Sequence, residues 1–234
     1  MDHCQPVSLA KVYEAVRQAG RWLIPARCFL CGSAACPEGV DLCHICIADL
    51  PATPAWAADV VPLSGVFCAW SYEYPIDRLV RALKFRGDRS VAGALGKLLA
   101  MRMAARCASL PQVLVPVPLH PLRLRERGYN QADEIARHLA GRLSLPRLPQ
   151  ALERIRATAP QSQLPAAQRR SNLAGAFHVP APMVAVVAGV DVALIDDVLT
   201  TGSTAQSAAQ ALLEAGARRV ELWTLARSGG DALS

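Results

Sequence analysis

The sequence predicts an α/β fold, an open and mainly parallel sheet flanked by helices, with a small cysteine module at the N-terminus. An apolar run that breaks into an irregular loop and resumes as a helix occurs twice, at VLVPVPLHPLRLRERGYNQADEIARHLAGRL from residue 113 and at VALIDDVLTTGST from residue 192. That order is how open α/β sheets bring ligand sites to the carboxyl ends of their strands. The third observation is a pair of C-x-x-C motifs confined to the first quarter of the chain. With 234 residues, 52% of them hydrophobic, the chain can bury one substantial core plus a small appendage. We therefore expect a module over residues 1–60 and a sheet domain over 61–234.

Composition narrows the classes of partner. Net charge is +6 and the pI near 9.1, with arginine supplying nearly all of the positive side. Guanidinium forks match phosphate, so phosphorylated metabolites and nucleic acid both stay open. The opening MDHCQPVSLAKVYEAVRQAGRW carries charges early and lacks the apolar core of a secretory signal, which predicts a cytoplasmic protein. The most apolar stretch, VPAPMVAVVAGVDVALI, holds two prolines and an aspartate and is too short to span a bilayer, so no membrane insertion is expected.

Leu9, Val12, Val16 and Ala19 stand at helical spacing, predicting a short amphipathic packing helix that leads to Pro25. Of eight cysteines, five fall from Cys28 to Cys46. In a reducing compartment such clustering argues for metal rather than disulfides. Cys28 with Cys31, and Cys43 with Cys46, each form a knuckle able to fill two corners of a tetrahedron. Gly32 suits the tight turn after the first pair. This predicts a four-cysteine zinc ribbon, structural because four protein ligands leave no open coordination position. Cys36 is a fifth thiol nearby, His44 lies inside the second pair, and a redox C-x-x-C is the competing reading. The proline- and alanine-rich segment after Cys46 reads as a linker.

The alternating, aromatic-rich VFCAWSYEY predicts a strand over about 66–74. Helical periodicity follows, interrupted at KFRGD, where Lys84, Arg86, Asp88 and Arg89 surround Gly87. The loop after the strand at 113 carries His120, Arg123, Arg125 and Arg127, then Asn130 and Gln131. Residues 154–172 are polar and basic without apolar period, which predicts a long lid-like loop. LAGAFHV and MVAVVAGVDVALI are two further strand candidates.

Val192 to Ile195 form a continuous apolar run suited to a strand buried on both faces. Asp196 and Asp197 follow, expected at its carboxyl end. Thr200, Thr201, Gly202, Ser203 and Thr204 then lead into an alanine-rich helix that stops at Gly216. A glycine turn feeding a helix N-terminus aims backbone N–H groups at one point, a place for phosphate. Carboxylates repel phosphate, so the two aspartates must address another part of the same ligand, and vicinal sugar hydroxyls fit. A ribose 5-phosphate unit satisfies both halves. The lysine of a nucleoside-triphosphatase P-loop and the G-x-G-x-x-G of a dinucleotide site are both missing.

On IDDVLTTGST, LKFRGD, VPVPLHPLRLRERGYNQA, PQSQLPAAQRRSNLAGAF and the cysteine module, which occur in the family's order, the chain resembles the ComF family (ComFC- and GntX-like) of type I phosphoribosyltransferase-like proteins. The resemblance implies a type I phosphoribosyltransferase-like sheet. It also implies a site for phosphoribosyl pyrophosphate with Mg²⁺. Asp196 and Asp197 would contact ribose hydroxyls, and Thr200, Thr201, Gly202, Ser203 and Thr204 would wrap the 5-phosphate. The loop at Pro118, Leu119 and His120, with Arg127 beside it, would correspond to the pyrophosphate loop. Arg169 and Arg170 on the flexible loop would face the leaving group, and Lys84 and Arg86 would join the site. Gln163 departs from relatives, which often carry glycine there.

The implied chemistry is displacement of pyrophosphate from the anomeric carbon, with arginine stabilising the departing charge and loop closure excluding water. No residue pattern identifies the acceptor. Two readings therefore stand: a transferase acting on an unknown nitrogenous acceptor, or a non-catalytic single-stranded-DNA-binding protein working with other DNA-uptake proteins, its ligand site regulatory or vestigial.

Overall fold

The computed structural model describes residues 27–34, 36–37, 40–53, 60–85, 88–105, 109–156 and 175–228. The expected helix through Leu9 and Ala19, Arg86, and the part of the long loop that carries Arg169 and Arg170 lie outside the described residues. The chain forms two compact units, Met1–Ala48 and Asp49–Ser234. In the first, a short helix α1 (His44–Ala48) starts within the second C-x-x-C. No described helix is long and apolar enough to cross a membrane.

In the second unit, β1 (Gly65–Ser71) is followed by helices α2 (Ile76–Phe85) and α3 (Arg89–Ala104). The break expected at KFRGD is real: Asp88 caps α3 by accepting from the Ser90 N–H at 3.2 Å. Next come β2 (Val113–Pro116), α4 (Pro121–Arg127) and α5 (Gln131–Leu143). A small antiparallel pair, β3 (Glu153–Arg154) with β4 (Phe177–His178), precedes α6 (Ala181–Val187). The chain then runs through β5 (Asp191–Leu199), α7 (Ser203–Glu214) and β6 (Arg219–Arg227).

The four main strands form a parallel sheet in the order β1-β6-β5-β2. Successive residues of a strand face opposite ways. Val192 and Leu194 share an apolar cluster with Ala208 and Leu212 of α7, so Ala193 and Ile195 face the other side, where α5 packs on β5 and β2. Both faces are covered, which explains the unbroken apolar run at the centre of β5. On that second side α3 and α5 approach closely: a Cβ at Gly96 would sit 3.0 Å from the Ile135 carbonyl oxygen.

Two expectations need correction. MVAVV belongs to a helix, not a strand: Pro180 and Pro182 set helical φ for the first turn, and a short apolar run has no period that separates the two states. The acids lie inside β5 rather than just past it, because pairing with β6 continues through Leu199. Pairing with β2 stops at Pro116 opposite Ile195. From Asp196 onward, β5 has no ladder pairing with β2.

Candidate functional site

In the cysteine module the ligand atoms of Cys28, Cys31, Cys43 and Cys46 all lie within 4.8 Å of one another. The knuckles are closed by backbone bonds from Gly32 N to Cys28 O at 2.9 Å and from Ile47 N to Cys43 O at 2.9 Å. Gly32 adopts φ 76°, as the turn requires. Burial raises the Cys28 thiol, but backbone N–H groups of Cys31, Cys43 and Leu30 outweigh it and bring the group down to about 6. Amides that favour a thiolate inside a tetrad are what a soft cation needs, so the donor set fits a metal. Cys36 instead donates to the Ser33 carbonyl at 3.7 Å and stands outside the tetrad.

The second constellation is built around β5. Because residues alternate, Asp197 follows Ile195 onto the α5 side of the sheet, while Asp196 follows Leu194 onto the α7 side. Asp197 is 8% exposed. Its Oδ1 meets Lys84 Nζ at 3.1 Å, and its Oδ2 accepts from Gln131 Nε2 at 3.4 Å. Lys84 reaches it from the last turn of α2, and Gln131 from the first residue of α5. Asp196 accepts from the Asp197 N–H at 2.8 Å. Burial and then the neighbouring Asp197 charge push the Asp196 carboxyl up to about 7, against the pull of Lys84 and Arg154.

Past Leu199 the chain turns through the exposed Thr200 and Thr201 to Gly202, which precedes α7 at φ 76°. The cap residue is a glycine, so no side-chain cap bond is made to this helix. Thr201 and Ser203 hydroxyls lie 3.0 Å apart, Ser203 is buried and Thr204 half-buried. A Cβ at Gly202 would stand 3.1 Å from Val60 Cγ1, so both the backbone angle and the space select glycine. The turn thus begins three residues after the acid pair, an arrangement able to hold an anion at one end and hydroxyls or a cation at the other.

The loop after β2 is tied down at both ends. Val117 N donates to Ile195 O at 2.9 Å, and Asn130 Nδ2 donates to Val117 O at 2.9 Å. Pro118, Leu119 and His120 between them are half-buried. His120 caps α4, its Nδ1 accepting from the Leu122 N–H at 3.3 Å. Arg127 lies over the Phe85 ring at 6.0 Å. Lys84 and Arg127 share an open cleft of ≈ 320 Å³ with Phe85, Arg123, Glu126 and Tyr129.

Lys84, Asp196 and Asp197 are therefore brought together, and Arg127 reaches the same cleft as Lys84. Two further residues, Gln131 and Arg154, contribute without a sequence motif that assigns them to the site. Gln131 reads in the sequence only as a loop residue, and its Asn-Gln position at a helix start is the available signal. Arg154 sits on β3, buried enough to depress its guanidinium, beside the Phe177 ring at 5.6 Å and within the electrostatic reach of Asp196. Nothing local distinguishes it from the other arginines of its loop. Three of the arginines are held in ion pairs with other acids: Arg147 pairs with Asp133, Arg218 with Asp191 at 2.6 Å, and Arg137 with Glu134 at 2.9 Å.

Residues 124–233 match the phosphoribosyl transferase domain. DNA utilization protein YhgH of Salmonella typhi is 40% identical over 161 residues, covering 67% of this chain and 69% of that one. Competence protein F of Haemophilus influenzae is 37% identical over 161 residues, covering 67% and 70%. Competence protein ComFC of Bacillus subtilis is 28% identical over 211 residues, covering 86% and 78%. Among solved structures, a glutamine phosphoribosylpyrophosphate amidotransferase from B. subtilis aligns with 57% of this chain and 26% of its own at TM-score 0.39 and 22% identity.

Proposed function

The chain belongs to the family of DNA utilization protein YhgH and competence protein F, and from that premise we propose that the β5 site binds phosphoribosyl pyrophosphate with Mg²⁺ in a protein serving DNA uptake. The observation that carries the reading is the placement of Asp196 and Asp197 on one strand, beyond its last pairing with β2 and just before the uncapped turn at Gly202. Sugar hydroxyls would donate to the two carboxylates while the amides from Ser203 onward and the hydroxyls of Thr200, Thr201, Ser203 and Thr204 receive the 5-phosphate.

Carboxylate oxygens suit a hard divalent cation, and the raised Asp196 marks negative charge that Lys84 and Arg154 only partly offset. When bound, magnesium would supply charge neutralisation for pyrophosphate and ribose oxygens. Lys84 would give up part of its hold on Asp197 to the arriving pyrophosphate, Arg127 would add a second cation at the leaving group, and the segment with Arg169 and Arg170 would screen the anomeric carbon from water. The four-cysteine tetrad would hold zinc, which when bound supplies a crosslink for the small module.

Titration calorimetry with phosphoribosyl pyrophosphate and Mg²⁺ tests the reading. The wild type should saturate. Asp196→Ala and Asp197→Ala should each lose roughly 100-fold or more in affinity, the scale of a charge-assisted contact of about 3 kcal/mol. A wild type that shows no saturable heat overturns it. Adding single nucleobases and oligonucleotides one at a time and following pyrophosphate release identifies an acceptor.

A second reading, a surface for single-stranded DNA, is favoured by α2 and its flanks. Tyr74 and Phe85 are 72% and 77% exposed and bracket Arg78, Arg81 and Lys84, with Arg123 and Arg127 across the cleft. Exposed ring faces between guanidinium groups suit bases and phosphates in alternation. Anisotropy of a labelled oligothymidine should show salt-dependent binding. Phe85→Ala should weaken that binding roughly tenfold, as loss of one stacked base does, whereas Asp197→Ala, which releases Lys84, should not weaken it. Equal binding by the wild type and Phe85→Ala removes this surface from consideration.

A further inference from the structure

Gln131 is 3% exposed, and its amide is only half used. Nε2 donates to Asp197 Oδ2 at 3.4 Å, while Oε1 is buried with no hydrogen-bond partner among the described residues. A buried acceptor without a donor lowers stability, and an apolar side chain of the same length would avoid that loss. Its mounting is firm. Asn130 caps α5 by accepting from the Ala132 N–H at 3.1 Å and donates to Val117 O, and Val117 in turn donates to Ile195 of β5. The end of β2, the centre of β5 and the start of α5 are thereby fastened around one point, and Gln131 projects from it onto Asp197.

We propose that Gln131 is a positioning residue which, with Lys84 on the opposite oxygen, clamps both oxygens of Asp197 and fixes the plane of that carboxylate where β5 runs past β2. The inference rests on the reading of this site as the place where phosphoribosyl pyrophosphate binds. It accounts for a glutamine at a buried position where core packing alone would favour leucine or methionine. Among the described residues, the charged groups that face the acid pair are Lys84 from α2, Arg154 from β3 and the two acids themselves.

The test uses the full chain and two substitutions. Gln131→Met keeps the volume and removes the orphaned oxygen. Its melting temperature should equal or exceed that of the wild type, while affinity for phosphoribosyl pyrophosphate with Mg²⁺ should fall about tenfold or more, the scale of a hydrogen bond to a charged group. Gln131→Glu keeps the shape and adds a third acid, so its affinity should fall further at pH 8 than at pH 6. A purely structural glutamine gives the opposite pattern: lower melting temperature, and affinity within twofold at every pH. That result overturns the proposal. If Gln131→Met does not fold, the pH profile of Gln131→Glu decides alone, and a flat profile overturns the proposal. A wild type that fails to bind the ligand defeats the reading of the site, whereas a wild type that binds alongside variants that bind equally defeats only the role of Gln131.

Discussion

The cysteine tetrad and the aspartate pair both gather groups that repel one another when ionised, yet they are relieved of that repulsion by different means. In the tetrad, whose ligand atoms lie within 4.8 Å of one another, backbone amides favour the Cys28 thiolate while burial and the neighbouring thiols push Cys46 up, so gathering four thiolates calls for an ion from solution. In the pair, Asp197 is held by Lys84 and Gln131, and Asp196 relieves the strain by keeping a proton to about 7. One centre is finished by a ligand of the whole module, the other by side chains from α2, α5 and β3. Removing the external ion should therefore unmake the first and leave the second intact.

The largest effect tests that contrast directly. Purified protein should carry one zinc per chain by mass spectrometry under native conditions. Cys43→Ser or a strong chelator should abolish hydrogen-exchange protection across residues 27–48, since structural zinc contributes on the order of 10 kcal/mol in comparable peptides. Unit Asp49–Ser234 should keep its thermal transition. Loss of protection throughout both units would erase the distinction between the two centres.

Next in size is Lys84→Met. It strands a buried carboxylate and should lower stability by about 3 kcal/mol in urea unfolding. Asp197→Asn in the same chain should restore most of it, giving a large coupling energy in the double-mutant cycle. Additive losses would mean that Lys84 is not what compensates Asp197. Gly202→Ala should cost about 1 to 2 kcal/mol, from the left-handed φ and the approach to Val60. It should also weaken phosphate binding by misplacing the first amides of α7. An unchanged melting curve would show that the turn relaxes.

The smallest effect is in pH dependence. Asp196 is raised from an unfolded value near 3.8 to about 7 by burial and by Asp197. The native chain then holds a proton that the unfolded chain has released, so this contribution is fully present below the unfolded value and is lost as pH rises toward 7. Asp197→Asn removes the like charge, with Lys84 and Arg154 still facing the site. The slope of stability between pH 5 and 7 should become shallower by a fraction of a proton. An unaltered slope would assign the rise to burial alone.

Legibility followed the same divide. The tetrad closes within 19 residues from Cys28 to Cys46, so ligand types and spacing were both open to view. The strand, the paired acids and the hydroxyl-rich turn were equally plain, being consecutive. Gln131 and Arg154 were not, because they reach β5 from 66 and 42 residues earlier and each resembles many neighbours in composition. MVAVV resembles a strand in sequence for a related reason: its apolar residues have no period, and its helical state is set by flanking prolines and by packing of Val187.

The order of residues alone determined what chemistry is available: four thiols in two knuckles, two acids on one strand, a glycine that must turn left before a helix. Those features follow from neighbouring backbone geometry, which needs no distant partner. Only the tertiary structure decided which acid is clamped, which keeps a proton, and which exposed rings and guanidinium groups share a cleft. Charge and burial depend on groups from separate elements, and their distances are set by how α2, α5 and β3 pack around β5.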